Sequence, residues 1–127
     1  MPKMFLLFSH TLTKEQIQDA KNSLGVGEFV KLPQNLQDIW SNIPPEIENL
    51  NPYLEPIKEW LREYLKSGDY ALVQGDFGAT CKLANFAKEH GVKAVYATTK
   101  RNVEEKVVNG KIIKTSVFKH IRFRRYE

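Results

Sequence analysis

Hydrophobic and polar positions along the chain follow two different periods. Short apolar runs, such as Met4–Phe8 and Tyr70–Val73, are typical of strands that are buried on both faces of a sheet. Between these runs, apolar residues recur every three or four positions, which is the pattern of helices with one buried face. Thr13 and Gln16 match a capping box at the start of the first helix, and Gly25 is placed to end it.

The order of these segments predicts the fold. The predicted strands cover residues 4–8, 28–32, 70–73 and 93–97, and the predicted helices begin near residues 13, 36, 52 and 79. The pair Asn109-Gly110 then predicts a hairpin over residues 104–123. Strands that alternate with helices favour an α/β fold with a Rossmann-like, mostly parallel sheet, helices on both faces and a C-terminal β-hairpin. We expect a single domain over residues 1–127.

Composition narrows the class of protein. Of the 127 residues, 42% are hydrophobic and 27% are charged, as in ordinary globular domains. No apolar run approaches the roughly 18 residues of a membrane span, and the N-terminal apolar run of five is too short for a signal sequence. Cys81 is the single cysteine, which excludes an internal disulfide. We therefore expect a cytoplasmic location and no membrane association.

Charge is distributed unevenly along the chain. Residues 1–91 carry nine Lys or Arg and twelve Asp or Glu, whereas residues 92–127 carry ten basic and three acidic residues. A basic C-terminal third suits a phosphate-bearing partner. A solvated hairpin whose charges protect an edge strand explains the same pattern, and the sequence leaves both interpretations open.

Polar residues follow three of the predicted strands. Ser9-His10 comes after the first strand, Gln74–Thr80 after the third and Thr98–Arg101 after the fourth. Ligands of open α/β sheets bind outside the carboxyl ends of the strands, so we expect these three groups to lie along one edge.

The segment after the third strand has the form of an anion site. A strand, a glycine-containing turn and a helix N-terminus direct backbone N–H groups and the positive end of a helix dipole at one place. The expected ligand-binding residues are Gln74, Gly75, Asp76, Phe77, Gly78, Ala79 and Thr80. The segment lacks a full G-x-G-x-x-G pattern and a P-loop lysine, so neither dinucleotide nor triphosphate binding is indicated. Its glycines could instead serve helix packing, and Asp76 could order the turn or orient a hydroxyl group.

Two further groups suit phosphate contact. Thr98, Thr99, Lys100 and Arg101 offer two hydroxyls and two cations. Strict alternation in the last strand would place Phe118, His120, Arg122 and Arg124 on one face, which is either a surface for phosphates and bases or an exposed edge-strand face. No metal-ligand cluster or cofactor motif stands out among three histidines and one cysteine, so we expect neither a metal nor a cofactor.

Taken together, these stretches resemble a known family. The chain is similar to the small CRISPR-associated proteins of type III systems that have a CARF-like, Rossmann-related fold and act as ring nucleases. The matching stretches are Met4–His10, Leu32–Pro45, Val73–Thr80, Tyr96–Arg101 and Phe118–Tyr126. The resemblance implies a homodimer that binds cyclic oligoadenylate and cleaves the ring, which switches the antiviral response off. It also implies ligand contacts from Ser9-His10 and from Thr98–Arg101.

Cleavage of this type uses the ribose 2′-OH of the substrate as the nucleophile and leaves a 2′,3′-cyclic phosphate. In such a mechanism His10 or His120 would transfer a proton, and Lys100 and Arg101 would stabilise charge on the phosphorane. Ser9 and Thr80 would orient the ribose or the phosphate.

Two other functions remain open at this stage. A non-catalytic sponge or sensor would bind the cyclic oligoadenylate without cutting it. An RNA-binding module would use the basic last strand, including Arg122, and its binding would depend steeply on salt. The ring nuclease itself requires no long nucleic acid.

Overall fold

The computed structural model describes all residues from Met1 to Glu127 and has an α/β architecture with five strands and four helices. The strands are β1 Lys3–Leu7, β2 Glu28–Lys31, β3 Tyr70–Val73, β4 Lys93–Val108 and β5 Lys111–Arg125. The helices are α1 Lys14–Leu24, α2 Gln34–Ser41, α3 Asn51–Tyr64 and α4 Phe77–Glu89. This order confirms the predicted sequence of elements as far as the strand that begins at Lys93.

One mixed sheet forms the centre of the molecule. Its strand order is β2-β1-β3-β4-β5; the first four strands run parallel, and β5 pairs antiparallel with β4. The carboxyl ends of β1 and β3 therefore lie side by side, next to the part of β4 that follows Val95, at one edge of the sheet, which we call the carboxyl edge.

Helices cover both faces of the sheet, as predicted. On one face, α1 supplies Ala20 to a cluster of 8 buried residues that includes Leu72 and Phe123. On the other face, α2, α3 and α4 contribute to a cluster of 17 buried residues, in which Trp40 and Leu83 are almost fully buried. Burial of apolar surface on both faces explains why β1 and β3 are nearly continuous apolar runs.

Local signals set the ends of several helices. Thr13 and Gln16 form the predicted capping box, with Thr13 Oγ1 accepting from the Gln16 N–H at 3.2 Å. Gly25 takes the left-handed conformation (φ 70°) that ends α1. By contrast, α4 begins at Phe77, two residues before the predicted start at Ala79, because the Asp76 carboxylate caps its first turn.

The fourth strand is much longer than predicted. Our expectation that it stops at Ala97 and that a separate hairpin starts at residue 104 was wrong, because β4 continues without a break to Val108. No glycine or proline stands between Ala97 and Val108, so nothing in the backbone interrupts extended structure. The polar residues Thr98–Arg101 lie within the strand and do not form a loop at its end.

The long β4 and β5 leave the sheet together as a two-stranded ribbon. Strand β3 pairs with β4 only as far as Val95, so the ribbon beyond Thr98 has no third strand. We call residues 99–121 the arm; its turn is Asn109-Gly110, with φ of 53° and 76°. At about 3.3 Å per residue, the arm extends roughly 30 Å. Most of the exposed large apolar side chains of the protein lie on it, namely Val103, Val107, Val108, Ile112, Ile113, Val117, Phe118 and Ile121.

Candidate functional site

The carboxyl end of β1 opens into a cleft that holds two of the predicted site residues. This β1 cleft has a volume of about 520 Å³. Apolar residues line it on one side, namely Leu6, Phe8, Leu12, Ile17, Phe29 and Leu32, and its polar rim consists of Ser9, His10, Thr11, Lys31, Gln34, Gln37, Asp38 and Ser41. His10 is exposed on the rim, with its ring edge-on to Phe8 at 5.4 Å. The cleft therefore combines an apolar wall with a rim of hydroxyl, amide and imidazole groups.

Hydrogen bonds hold part of this rim in place. Gln37 Nε2 donates to the Phe8 carbonyl at 3.1 Å and to Ser41 Oγ at 2.9 Å. The hydroxyls of Ser41 and Ser9 are 2.9 Å apart. Ser9 is therefore positioned at the mouth of the cleft by helix α2, which sequence reasoning did not associate with the site. No sequence signal pointed to α2, because the pairing of β2 with β1 that brings this helix to the cleft is a tertiary contact.

Gln74 joins three strand ends. Its N–H donates to the Leu7 carbonyl at 3.0 Å, and its side-chain Oε1 accepts from the Ala97 N–H at 2.8 Å. Its own carbonyl accepts from Trp40 Nε1 at 3.2 Å. These three contacts tie together β1, β4 and α2, so Gln74 has a structural role at the carboxyl edge.

Side chains pack closely against the two glycines of the predicted anion site. A Cβ at Gly75 would lie 2.9 Å from Trp40 Cζ2, and a Cβ at Gly78 would lie 2.9 Å from Leu50 Cδ1. Both distances are shorter than ordinary contacts. The Trp40 ring is buried and cannot move aside, so close packing accounts for Gly75 whether or not a ligand binds there. The atom near Gly78 is the tip of the half-buried Leu50 side chain, which can move, so packing does not require glycine at that position.

The N-terminus of α4 already holds a carboxylate. Asp76 Oδ2 accepts from the Ala79 N–H at 3.0 Å, and the Thr80 N–H donates to the Asp76 carbonyl. Ala79 is itself fully buried. A phosphate bound at this turn would lie beside the Asp76 charge and would have to share the helix N-terminus with it. Of the two roles open for Asp76, the geometry supports ordering of the turn.

A second cleft lies between α4 and β4, beside Tyr96. This α4 cleft has a volume of about 540 Å³ and is lined by Gln74, Gly75, Phe77, Thr80, Cys81, Ala84, Asn85, Lys88, Tyr96, Tyr126 and Glu127. Phe77 is 95% exposed at its mouth. The buried Thr80 Oγ1 has no hydrogen-bond partner. The cleft thus brings together four of the predicted residues, Gln74, Gly75, Phe77 and Thr80.

Two tyrosines that line the α4 cleft, Tyr96 and Tyr126, were not predicted as site residues. The rings of Tyr96 and Tyr126 lie 4.8 Å apart, and Arg124 Nη1 donates to the Tyr96 hydroxyl at 3.0 Å. Tyr126 donates to the Val73 carbonyl, and burial, together with neighbouring Tyr96, raises the pKa of its phenol. Tyr126 therefore stays a neutral donor over the working range of pH. The signal for Tyr96 was its spacing of two from the buried Ala94, which places both on the face that α4 covers.

A bulge in β5 overturns the predicted alternation of its last residues. Thr98 pairs with Arg122, but Thr99 pairs with His120, so Ile121 is an extra residue in β5. The prediction that His120 shares a face with Arg122 and Arg124 was wrong, because the extra residue turns His120 to the side of the buried Phe123, with the two rings 4.8 Å apart.

His120 is consequently buried against α1. Its side chain is 5% exposed, and its Nε2 lies 2.7 Å from Asp19 Oδ2, while Nδ1 has no partner. A proton-transfer role at the carboxyl edge would require His120 to leave this contact. Of the two candidate histidines, only His10 lines the β1 cleft.

The Asp19–His120 contact predicts a dependence of stability on pH. Burial by itself raises the pKa of Asp19, but hydrogen bonds from Ser23 and His120 and the charges of His120 and Arg122 outweigh it, so the pKa lies below its ordinary value of 3.8. A carboxyl group with a lowered pKa stabilises the folded state above pH 3.8, and this contribution is lost as the pH falls through the folded-state value.

We expect Asp19→Asn to lower the free energy of unfolding at pH 7 and to flatten its decline between pH 5 and pH 3, measured by urea unfolding at each pH. Asp38→Asn on α2, which removes an exposed carboxylate, is the matched control and should keep the wild-type slope. An Asp19→Asn profile parallel to that of wild type would contradict this prediction.

The predicted cations after the fourth strand lie on the arm and its base. Thr98 Oγ1 donates to the Arg122 carbonyl at 2.8 Å and accepts from the Arg122 N–H at 3.2 Å, which closes the base of the arm. Arg101 donates from Nε and Nη2 to Ser116 Oγ, across the ribbon. Thr99, Lys100 and Arg101 are exposed and extend away from the sheet, and none of them lines either cleft. The four predicted catalytic residues are therefore dispersed within one chain.

No helix is both long enough and apolar enough to cross a membrane. No group of three or more His, Cys, Asp or Glu side chains comes together in a way that could hold a metal ion.

Comparison with known proteins places the chain in a family. The profile described as "Uncharacterized protein MJ1673 family" matches residues 2–124. A relative from Methanocaldococcus jannaschii, named "Uncharacterized protein MJ1673", is 54% identical over 126 residues, which cover 99% of this chain and 98% of the relative. No solved structure matches the chain. The extent of both matches shows that the chain belongs to the MJ1673 family.

Proposed function

We propose that this protein is a Rossmann-like, CARF-like domain that binds cyclic oligoadenylate at its carboxyl edge and cleaves the ring. The observation that carries the proposal is the position of the β1 cleft. The cleft opens where the paired strands β1 and β2 end, and it has His10 on its rim. Ligands of open α/β sheets usually bind outside the carboxyl ends of the strands, which supports a ligand site here.

The chemistry of the two clefts suits an adenylate. The apolar wall of the β1 cleft offers a surface for a base, while Ser9, Gln37 and Lys31 on its rim offer groups for a ribose and a phosphate. In the α4 cleft, exposed Phe77 and neighbouring Tyr96 offer aromatic faces, on which bases stack. Because the protein has two clefts near the carboxyl edge, a ligand with repeated nucleotide units matches this arrangement better than a single nucleotide does.

In the proposed reaction a ribose 2′-oxygen attacks the adjacent phosphorus, and the bond from phosphorus to the 5′-oxygen breaks. The products are a linear oligoadenylate with a 2′,3′-cyclic phosphate at one end and a 5′-hydroxyl at the other. His10 accepts the 2′-OH proton or delivers a proton to the leaving 5′-oxygen, and Ser9 orients the ribose. Lys100 and Arg101 line neither cleft of their own chain, so their role of stabilising charge on the phosphorane requires that the arm of the second protomer brings them to the cleft. A ring of four adenylates, with its two-fold symmetry, suits a homodimer.

The direct test is incubation of the protein with cyclic tetra-adenylate and cyclic hexa-adenylate in the presence of EDTA, followed by mass spectrometry of the products. We expect linear products that end in a 2′,3′-cyclic phosphate. Recovery of an intact ring in complex with the protein would support the sponge or sensor function instead. Absence of both binding and cleavage would overturn the proposal.

The arm favours one second candidate, an RNA-binding module. The arm carries six Lys or Arg and two Glu, and it presents Phe118 with 66% of its surface exposed. A basic projection with an aromatic side chain suits single-stranded nucleic acid. This function requires that linear RNA binds more tightly than the ring and that its affinity falls steeply between 50 and 200 mM salt.

A further inference from the structure

The arm exposes apolar side chains on both of its faces. Val107 and Ile112 are paired across the ribbon and are 74% and 66% exposed. On the opposite face, Ile113 and Val117 are 47% and 40% exposed. A two-stranded ribbon without a covering layer is only marginally stable in water. The rest of its own chain contacts the arm near its base, where α1 packs on β5, so the outer part of the arm lacks a covering surface.

The charge of the arm indicates which kind of surface covers its outer part. The arm has a net charge of +4, from six Lys or Arg and two Glu. Two arms that packed directly on each other would bring these like charges together, which opposes contact between arms. The segment from Asp38 to Glu63, which includes the end of α2 and nearly all of α3, carries six Asp or Glu against Lys58 and Arg62, a net charge of −4.

The positions of these charges fit a docking surface. Lys106 shares one arm face with Ile113, and Lys111 shares that face with Val108, since directly paired residues lie on the same side of a ribbon. On α3, Glu59 and Glu63 are exposed and form no ion pair within the chain. One chain therefore presents both a basic apolar projection and an acidic surface, as a two-fold symmetric contact between identical chains requires.

We propose that the arm of one protomer docks on the Asp38–Glu63 segment of a second copy of this chain, and that the partner returns the same contact. This inference specifies the dimer that the proposed function invokes, but it concerns the protein without ligand. Asp38 and Ser41 of the receiving segment also line the β1 cleft, so the docked arm lies beside the mouth of the cleft.

A charge-swap experiment tests the contact. One variant carries Lys106→Glu with Lys111→Glu on the arm, and a second carries Glu59→Lys with Glu63→Lys on α3. The control carries Lys14→Glu with Lys21→Glu, which makes the same change of charge on exposed positions of α1. The dissociation constant of the dimer is measured for each by sedimentation equilibrium at low salt, without any oligoadenylate.

We expect wild type and the α1 control to dimerise equally and each swapped variant to dimerise at least about tenfold more weakly, because like charges then face each other. In a mixture of the two swapped variants, both contacts of the heterodimer pair opposite charges, so dimerisation should return to the wild-type level. A monomeric wild type, swapped variants that dimerise normally, or a mixture that fails to recover would each overturn the proposal. Since no ring is present, failure of the proposed cleavage would leave this result unaffected.

Discussion

Replacement of His10 by alanine is expected to slow single-turnover cleavage of cyclic tetra-adenylate by about 10²–10⁴-fold. The imidazole lies on the rim of the β1 cleft, exposed and edge-on to Phe8, so it can reach a bound ribose or phosphate without movement of the backbone. Because the proposed role is proton transfer, ring binding should change little. The measurement is product formation with enzyme in excess, alongside the binding constant of the ring.

Two other histidines supply the controls. His90 ends α4, with its Nδ1 2.8 Å from the Phe86 carbonyl, and it lines neither cleft, so His90→Ala should cleave at the wild-type rate. His120→Ala removes the buried contact with Asp19. We expect it to lower the free energy of unfolding, while the molecules that remain folded cleave the ring at close to the wild-type rate. If His120→Ala abolishes cleavage in folded protein while His10→Ala does not, the assignment of the proton-transfer role is reversed.

Replacement of Trp40 by alanine is expected to lower the free energy of unfolding by about 3–5 kcal/mol. Trp40 is 2% exposed within the larger buried cluster, and its Nε1 donates to the Gln74 carbonyl. The substitution removes a large buried side chain and one of the three contacts that hold Gln74 between the strand ends. Trp40→Phe keeps most of the ring but loses the donor, and should cost about 1–3 kcal/mol. Urea unfolding followed by circular dichroism measures both.

The contact between Gly75 and the Trp40 ring can be tested by combining two substitutions. In wild type, a methyl group at Gly75 would lie 2.9 Å from the indole, so Gly75→Ala should destabilise the protein. In the Trp40→Ala background the space is open, and the same substitution should cost much less. Tyr64→Ala removes an aromatic ring that is 49% exposed and serves as the matched control. A loss below about 1 kcal/mol for Trp40→Ala would show that the ring does not support the carboxyl edge in this way.

Part of the candidate site was predictable because parallel strands bring their carboxyl ends to one edge. Ser9 and His10 after β1 and Gln74–Thr80 after β3 are neighbours for that reason. The lining residues from α2, such as Gln37 and Ser41, were not predictable, because their place depends on the path of the helix across the strand ends. The structural role of Gln74 was also not predictable, because it depends on hydrogen bonds with Leu7 and Ala97, which are distant in sequence.

The sequence by itself determined the order of the elements up to the start of β4, the capping box at Thr13, the end of α1 at Gly25 and the turn at Asn109-Gly110. Each of these depends on interactions within a few residues, so local propensity is sufficient to specify it. Only the tertiary structure decided that β4 runs on to Val108 and that His120 turns towards Asp19. The length of a strand, and the face of the sheet on which each of its side chains lies, depend on pairing with the partner strand. One extra residue in that pairing, here Ile121, moves every side chain beyond it to the opposite face.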